Sequence, residues 1–159
     1  MTSALNGPLE VGVRVLAVLT AAFPTRLDLN RLVLLDYGLL HSADLGGPQS
    51  LHPPLPMRTG EFGVKRERIQ EGLEVLVRAD LAHMEPSATG IHFWASERAN
   101  GFVRLLETEY ARGLSERAGW VVDHFDDISD AELREAMRSV FGHWAEEFEH
   151  VNPPVSEMS

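Results

Sequence analysis

The chain contains 159 residues, of which 44% are hydrophobic, and it has a formal net charge of -10 and no cysteine. This length and apolar content predict one folded domain over residues 1–150 with a flexible tail at 151–159. The missing cysteines exclude disulfides and thiolate metal sites, and the acidic charge disfavours binding to nucleic-acid phosphates. Neither a signal peptide nor a bilayer-length apolar run is visible, so we expect a cytoplasmic protein without a membrane partner.

The first half of the sequence predicts three helices. Residues 9–23 are apolar on nearly every side, which indicates a central, well-buried helix that stops before Pro24. Asp28 is placed to cap a second helix that extends to about His41. The third helix covers residues 64–81. Its expected inner face consists of Val64, Ile69, Leu73, Leu76 and Val77, and its expected outer face of Lys65, Arg66, Glu67, Arg68 and Glu71.

The hydrophobic period changes from helical to alternating after the third helix. Residues 81–96 alternate around a turn that Pro86 and Gly90 bracket, and this pattern predicts a β-hairpin. His83 and His92 lie on its two strands. We expect these two side chains to form a surface pair across the hairpin.

Further helix follows the hairpin. Ser96 is placed to cap a fourth helix, which Gly113 and Gly119 are expected to kink or divide. Ser129 and Glu132 match a capping box, which predicts the start of the last helix. The expected apolar face of that helix consists of Leu133, Met137, Val140, Phe141, Trp144 and Phe148.

The predicted fold class is therefore mainly α with a small β-hairpin. Three helices, a hairpin and more helix are the order of a winged helix-turn-helix core followed by C-terminal helices. In that arrangement the hairpin is the wing and the third helix is the recognition helix. The connection of roughly twenty residues between the second and third helices departs from it, because such connections are normally a few residues long.

That connection, HSADLGGPQSLHPPLPMRTGE over residues 41–61, contains the candidate functional residues. Its prolines restrict φ and lower the entropy that is lost when the segment docks. The composition predicts a rigid loop that either binds a partner or covers the core of its own domain. The candidate partner-binding residues are His41, Asp44, Leu51, His52, Pro53, Arg58 and Glu61.

Metal-binding and catalytic interpretations of the loop are weaker. His41, Asp44 and His52, with Glu61, are suitable ligand types for zinc or iron, but their spacing matches no ligand geometry on a helix or hairpin. The HSAD segment is more simply the end of a helix than a nucleophile with its base. No phosphate-binding glycine motif occurs in the chain. We therefore expect no metal, no cofactor, no small-molecule substrate and no catalytic residue.

A nucleic-acid interpretation depends on the third helix, where the candidate contacts are Lys65, Arg66 and Arg68. Glu67, Glu71 and Glu74 on the same helix oppose it, since phosphate binding requires a basic surface. The alternative function is accordingly a winged-helix DNA-binding regulator that acts as a dimer. A solvated helix face with mixed charges explains the same residues more simply.

Three segments of the chain resemble the middle component of bacterial ABC-three-component conflict systems, in particular the second type. They are residues 29–61, which contain D-Y-x-L-x-H-S-x-D and S-L-H-P-P-x-P-x-R-x-G-E, residues 64–81, and residues 115–134. The resemblance covers about residues 8–149. Gly38 departs from the family pattern, in which a bulkier apolar residue would fit the helix.

The resemblance implies a non-catalytic adaptor in an anti-phage and anti-plasmid defence complex, to which Lamassu systems are related. Its partners would be an SMC-like ATPase with long coiled coils and a variable effector, often a nuclease, and DNA would be reached through the complex. The resemblance implies no catalytic residue that could be carried over to this chain. The net charge of -10 agrees with docking on basic partner surfaces. Trp120 and Trp144 are expected either to pack on a coiled coil or to lie in the core, and Trp144 fits the core better.

Overall fold

A computed structural model of the chain describes residues 7–50, 61–106 and 108–141. The elements in chain order are α1 (Pro8–Ala22), β1 (Leu27–Asp28), α2 (Leu29–Leu40), a 3-10 turn (Ser42–Leu45), α3 (Glu61–Arg78), β2 (Ala82–Ser87), β3 (Gly90–Ala95), α4 (Ala99–Arg104), α5 (Glu109–His124) and α6 (Asp130–Phe141). The predicted fold class, mainly α with a small β-hairpin, is confirmed. None of the described helices is long and apolar enough to cross a membrane.

The central position predicted for the first helix is confirmed. Nine residues of α1 are buried, among them Val15, Leu16 and Leu19. α1 packs against α3 on one side and against α5 on another, so one helix organises the core. The large buried side chains of the other helices, Leu32, Leu39, Ile69, Leu73 and Leu114, complete this core. Burial of so many branched apolar side chains supplies most of the favourable free energy of folding.

The sheet is antiparallel with strand order β1-β3-β2, so the predicted hairpin gains a third strand. β1 is only two residues long, which is why alternation in the sequence does not reveal it. The expected histidine pair is wrong, because the register places His83 opposite Trp94 and His92 opposite Glu85. The ring of His83 lies 5.5 Å from the ring of Trp94, and Nδ1 of His92 lies 3.2 Å from Oγ of Ser87.

Two helix ends follow the sequence prediction closely. The carboxylate of Asp28 accepts a hydrogen bond of 2.8 Å from the backbone N–H of Arg31 and caps α2. The capping box of α6 is reciprocal, since the N–H of Glu132 donates to Oγ of Ser129 at 3.2 Å and the N–H of Ser129 donates to Oε1 of Glu132 at 3.4 Å. Such caps satisfy backbone donors that have no partner within the helix.

The predicted fourth helix is two helices, and the predicted cap is wrong. α4 ends at Arg104 and α5 begins at Glu109, whereas Gly113 and Gly119 both lie inside α5. Thr108 caps α5, because its hydroxyl accepts a hydrogen bond of 3.1 Å from the N–H of Ala111. The Ser96 hydroxyl instead donates to the carbonyl of Asp80 at 2.9 Å and ties β3 to the end of α3.

The third helix begins three residues earlier than predicted, and its faces are partly different. The sequence predicts Val64 on the inner face, but the structure leaves its side chain 46% exposed. The sequence predicts Lys65 on the outer face, but its ammonium pairs with the buried carboxylate of Asp36. The inward positions of Ile69, Leu73 and Leu76 are confirmed.

Candidate functional site

The described part of the α2–α3 loop, residues 41–50, folds back on itself. Ser42 is fully buried, and its hydroxyl donates a hydrogen bond of 2.8 Å to the carbonyl of Pro48. The N–H of Ala43 donates to Oγ of Ser50 at 3.1 Å. Side-chain bonds of this kind replace the missing secondary-structure partners of the backbone. They give the first half of the loop a defined shape.

Helix α5 holds this half of the loop against the domain. The indole of Trp120 covers Gly47 so closely that a Cβ atom at position 47 would lie 2.5 Å from the ring. The Nε of Arg117 donates a hydrogen bond of 2.8 Å to the carbonyl of Gln49. The indole also stacks on His124, with the ring centroids 4.8 Å apart. Trp120 therefore supports the loop from within the chain.

A buried ionic cluster connects the two ends of the loop. Asp36, near the end of α2, accepts hydrogen bonds from Arg14 of α1, with 3.0 Å from Nε to Oδ1 and 3.3 Å from Nη2 to Oδ2. The ammonium of Lys65, in the second turn of α3, pairs with Oδ2 of the same carboxylate. One aspartate thus joins α1, α2 and the beginning of α3.

Arg14 and Asp36 are both charged near neutral pH. Burial by itself would raise the pKa of Asp36, but the nearby cations of Lys65 and Arg14 outweigh it and hold the pKa far below its usual range. Burial likewise opposes the charge on Arg14, yet the attraction and hydrogen bonds of Asp36 raise the pKa of Arg14 above its ordinary value. Each group therefore keeps the other ionised in a place that excludes water.

The structure places three of the candidate loop residues at the two ends of the loop. His41 lies just after α2, half-buried, with its ring 4.9 Å from the ring of Tyr37. Asp44 lies in the 3-10 turn and Glu61 begins α3; the structure describes their backbone and not their side chains. The remaining candidates, Leu51, His52, Pro53 and Arg58, lie outside the described residues.

A comparison with known families adds a decisive observation. Residues 4–147 match the family described as ABC-three component (ABC-3C) system Middle Component 2. The chain belongs to this family. No curated protein and no solved structure matched the chain. The family gives this middle component a role in a bacterial conflict-system complex, together with the other components of the system.

The segment D-Y-x-L-x-H-S-x-D of this middle component has a structural role in the part that the structure describes. Asp36 is the centre of the ionic cluster, and Ser42 closes the first half of the loop. The space around position 38 does not admit a bulkier residue, because a Cβ atom there would lie 2.5 Å from Cγ2 of Val121. In this chain the glycine lets α2 approach α5 closely.

The nucleic-acid candidates of α3 have different environments. Lys65 is engaged with Asp36, and Arg66 is half-buried, with burial lowering its pKa. Of the three candidates only Arg68 is exposed. Within the described ranges no group of three or more histidine, aspartate or glutamate side chains is suited to a metal ion, and His52 lies outside those ranges.

Sequence reasoning missed the ionic cluster, although a signal was present. Arg14 interrupts the apolar run of residues 11–23, and Asp36 lies on the same helix face as Leu32 and Leu39. Charged side chains within apolar faces are almost never fully buried unless they are paired. Two such residues of opposite charge on neighbouring helices therefore predict a buried ion pair.

Proposed function

We propose that this middle component is a non-catalytic adaptor. Its α2–α3 loop docks on the SMC-like ATPase of the conflict system, and the bound adaptor links that ATPase to an effector such as a nuclease. The same proposal includes a relationship to the small subunit of Lamassu systems. DNA is reached through the complex and not by this chain alone.

The observation that supports the loop as the docking element is its attachment at both ends. The cluster of Arg14, Asp36 and Lys65 fixes the end of α2 against the beginning of α3. Trp120 and Arg117 hold residues 47–49 on α5. A loop whose ends are already fixed loses less conformational entropy on binding, so more of its contact energy contributes to affinity.

The bonding of Ser42 supports an adaptor over a hydrolase. A serine nucleophile needs an adjacent base and access to a substrate. The hydroxyl of Ser42 is buried and donates to the carbonyl of Pro48. Its geometry is that of a loop closure.

The order α1-β1-α2-α3-β2-β3 supports a winged helix-turn-helix core, with β2 and β3 as the wing and α3 in the recognition position. This order also favours the second candidate function, a dimeric DNA-binding regulator. Against that function, the ammonium of Lys65 is committed to Asp36, and the net charge of the chain is -10. We therefore assign the winged-helix core to scaffolding.

The experiment replaces two loop residues in the full chain co-expressed with the ATPase component. We expect His52→Ala/Arg58→Ala to lower the amount of co-purified ATPase about tenfold while leaving Tm unchanged, because hot-spot residues dominate the affinity of interfaces. The control is His83→Ala/Arg134→Ala, which removes the same residue types from exposed positions elsewhere.

Two results contradict the docking role of the loop. Undiminished co-purification of the loop variant shows that the ATPase binds elsewhere. If the loop variant loses thermal stability along with co-purified ATPase, the loop covers the core of its own domain. Binding of duplex DNA by the chain alone, weakened by salt and by Arg68→Ala, supports the regulator instead.

A further inference from the structure

A concave surface lies between α1, α4 and α5. It is a groove of about 770 Å³. Its lining residues are Ala17, Thr20, Ala21, Asn100, Val103, Arg104, Leu106, Ala111, Arg112 and Ser115. We call it the α4 groove.

The α4 groove is separate from the loop surface. On α5 the groove is lined by Ala111, Arg112 and Ser115, whereas the loop contacts Arg117 and Trp120. With 3.6 residues per turn, Ser115 and Trp120 lie on different sides of the helix. One partner can therefore occupy the loop while another occupies the groove.

The apolar part of the groove is made largely of small side chains. Ala17 and Ala21 of α1 and Ala111 of α5 lie along it, together with Val103 and Leu106. Alanines let a helix backbone approach closely, and amphipathic helices bind in apolar grooves between helices. Next to the groove, Leu105 has 78% of its surface exposed, which leaves an apolar side chain available for the same contact.

The charged part of the groove is basic. Its two ionisable residues are Arg104 and Arg112. Within the described residues neither guanidinium makes an ion pair or a hydrogen bond. The chain has 24 acidic residues against 14 basic ones, whereas the described residues that line the groove include two arginines and no carboxylate.

We infer that the α4 groove binds an acidic amphipathic helix of another component of the conflict-system complex. The two arginines match the acidic face of that helix, and the alanine-lined floor matches its apolar face. A nucleic acid fits less well, because an apolar floor offers nothing to phosphates and the chain is acidic overall. This inference rests on the proposed adaptor function and gives the adaptor a second docking surface.

Photo-crosslinking in the assembled complex identifies the occupant. The photoreactive residue p-benzoylphenylalanine replaces Ser115, which lines the groove and is exposed, in the full chain co-expressed with the other components. We expect a crosslink to an acidic segment of another component whose apolar residues recur at helical spacing. A crosslink to nucleic acid, to a second copy, or to residues 142–159 of this chain overturns the inference, as does no crosslink in an intact complex.

Charge reversal tests the two arginines. We expect Arg104→Glu/Arg112→Glu to weaken binding of the crosslinked component about tenfold or more, since like charges oppose across the interface. The control, Arg78→Glu/Arg134→Glu, makes the same change of net charge at exposed positions on α3 and α6 and leaves binding unchanged. If the reversal lowers Tm, Arg104→Gln/Arg112→Gln replaces it, with a weakening in the same direction.

Equal binding by the groove variants and the control overturns the inference. The outcome is distinguishable from failure of the adaptor function. If the loop variants release the ATPase and the groove variants release nothing, the adaptor function stands and the groove inference fails. If the loop variants leave the complex intact, the ATPase binds elsewhere and the docking role of the loop fails, whatever the groove variants do.

Discussion

Arg14 and Asp36, 22 positions apart in the sequence, form a two-point ion pair in which the side chains are only 4% and 1% exposed. Lys65 adds a second cation to the same carboxylate. The cluster lies beneath the two helix ends that bound the α2–α3 loop. We therefore expect loss of the cluster to affect both the stability of the domain and the geometry of the proposed docking element.

Removal of the central carboxylate is the first test of the cluster. Asp36→Ala leaves Arg14 buried without its carboxylate, and we expect the free energy of unfolding to fall by about 3–5 kcal/mol. Urea denaturation, monitored by circular dichroism, measures this fall in the free energy of unfolding. Glu85→Ala, which removes an exposed ion pair with Arg26, is the control and is expected to change stability by less than about 1 kcal/mol. Equal effects of the two variants contradict a stabilising cluster.

The cluster also predicts how stability depends on pH. Because the folded-state pKa of Asp36 lies far below its value in the unfolded chain, the unfolded state binds this proton first as pH falls. Its contribution is complete at neutral pH and is lost progressively below about pH 4. We therefore expect the stability difference between wild type and Asp36→Asn to shrink between neutral pH and about pH 3, measured by urea denaturation. A difference that is constant or grows in acid is incompatible with this assignment.

The contact between Trp120 and Gly47 gives a third prediction. Gly47→Ala places a methyl group 2.5 Å from the indole, so the ring must move or the loop must lift from α5. We expect a loss of about 1–3 kcal/mol and a red shift of the tryptophan fluorescence. Gly119→Ala, beside Trp120 with nothing within 4 Å of the new atom, is the matched control. It is expected to be neutral or to stabilise α5 by up to about 1 kcal/mol. Identical spectra and stabilities of both variants refute the contact.

Close packing of α2 on α5 gives the fourth prediction. In Gly38→Ala the new methyl group meets Cγ2 of Val121 at 2.5 Å, and valine has little freedom to turn away. We expect a destabilisation of about 1–3 kcal/mol. Because the obstructing methyl groups are gone in Gly38→Ala/Val121→Ala, we expect this double variant to lose less stability than the sum of the two single losses. Thermal unfolding of the single and double variants measures the coupling. Strict additivity of the two substitutions shows that the residues do not meet.

Local patterns made much of the fold predictable. The dense apolar sequence of residues 9–23 indicates a central helix, and the structure has one there. Asp28 and the pair Ser129–Glu132 cap the helices that they were predicted to cap. Alternation around Gly90 gives the hairpin. Each of these features depends on side chains a few positions apart, which is the range over which sequence patterns act.

The misplaced features depend on contacts between distant residues or on very short elements. Lys65 has the spacing of an outer-face residue, but a buried carboxylate on another helix draws it inward. Gly47 lies in a loop by any local rule, and only the fold brings Trp120 onto it. Gly113 and Gly119 predict a break within the fourth helix, but both glycines lie inside α5. The break lies between Arg104 and Glu109, where Thr108 caps α5. Strand β1, with two residues, shows no period at all.

The decisive measurement for the adaptor function is size-exclusion chromatography with light scattering on the full chain co-expressed with the ATPase component of its system. At low salt, where complementary charges are least screened, we predict one peak that contains both proteins in a fixed ratio. Two separate peaks at low salt, each with the mass of one protein alone, contradict the adaptor function.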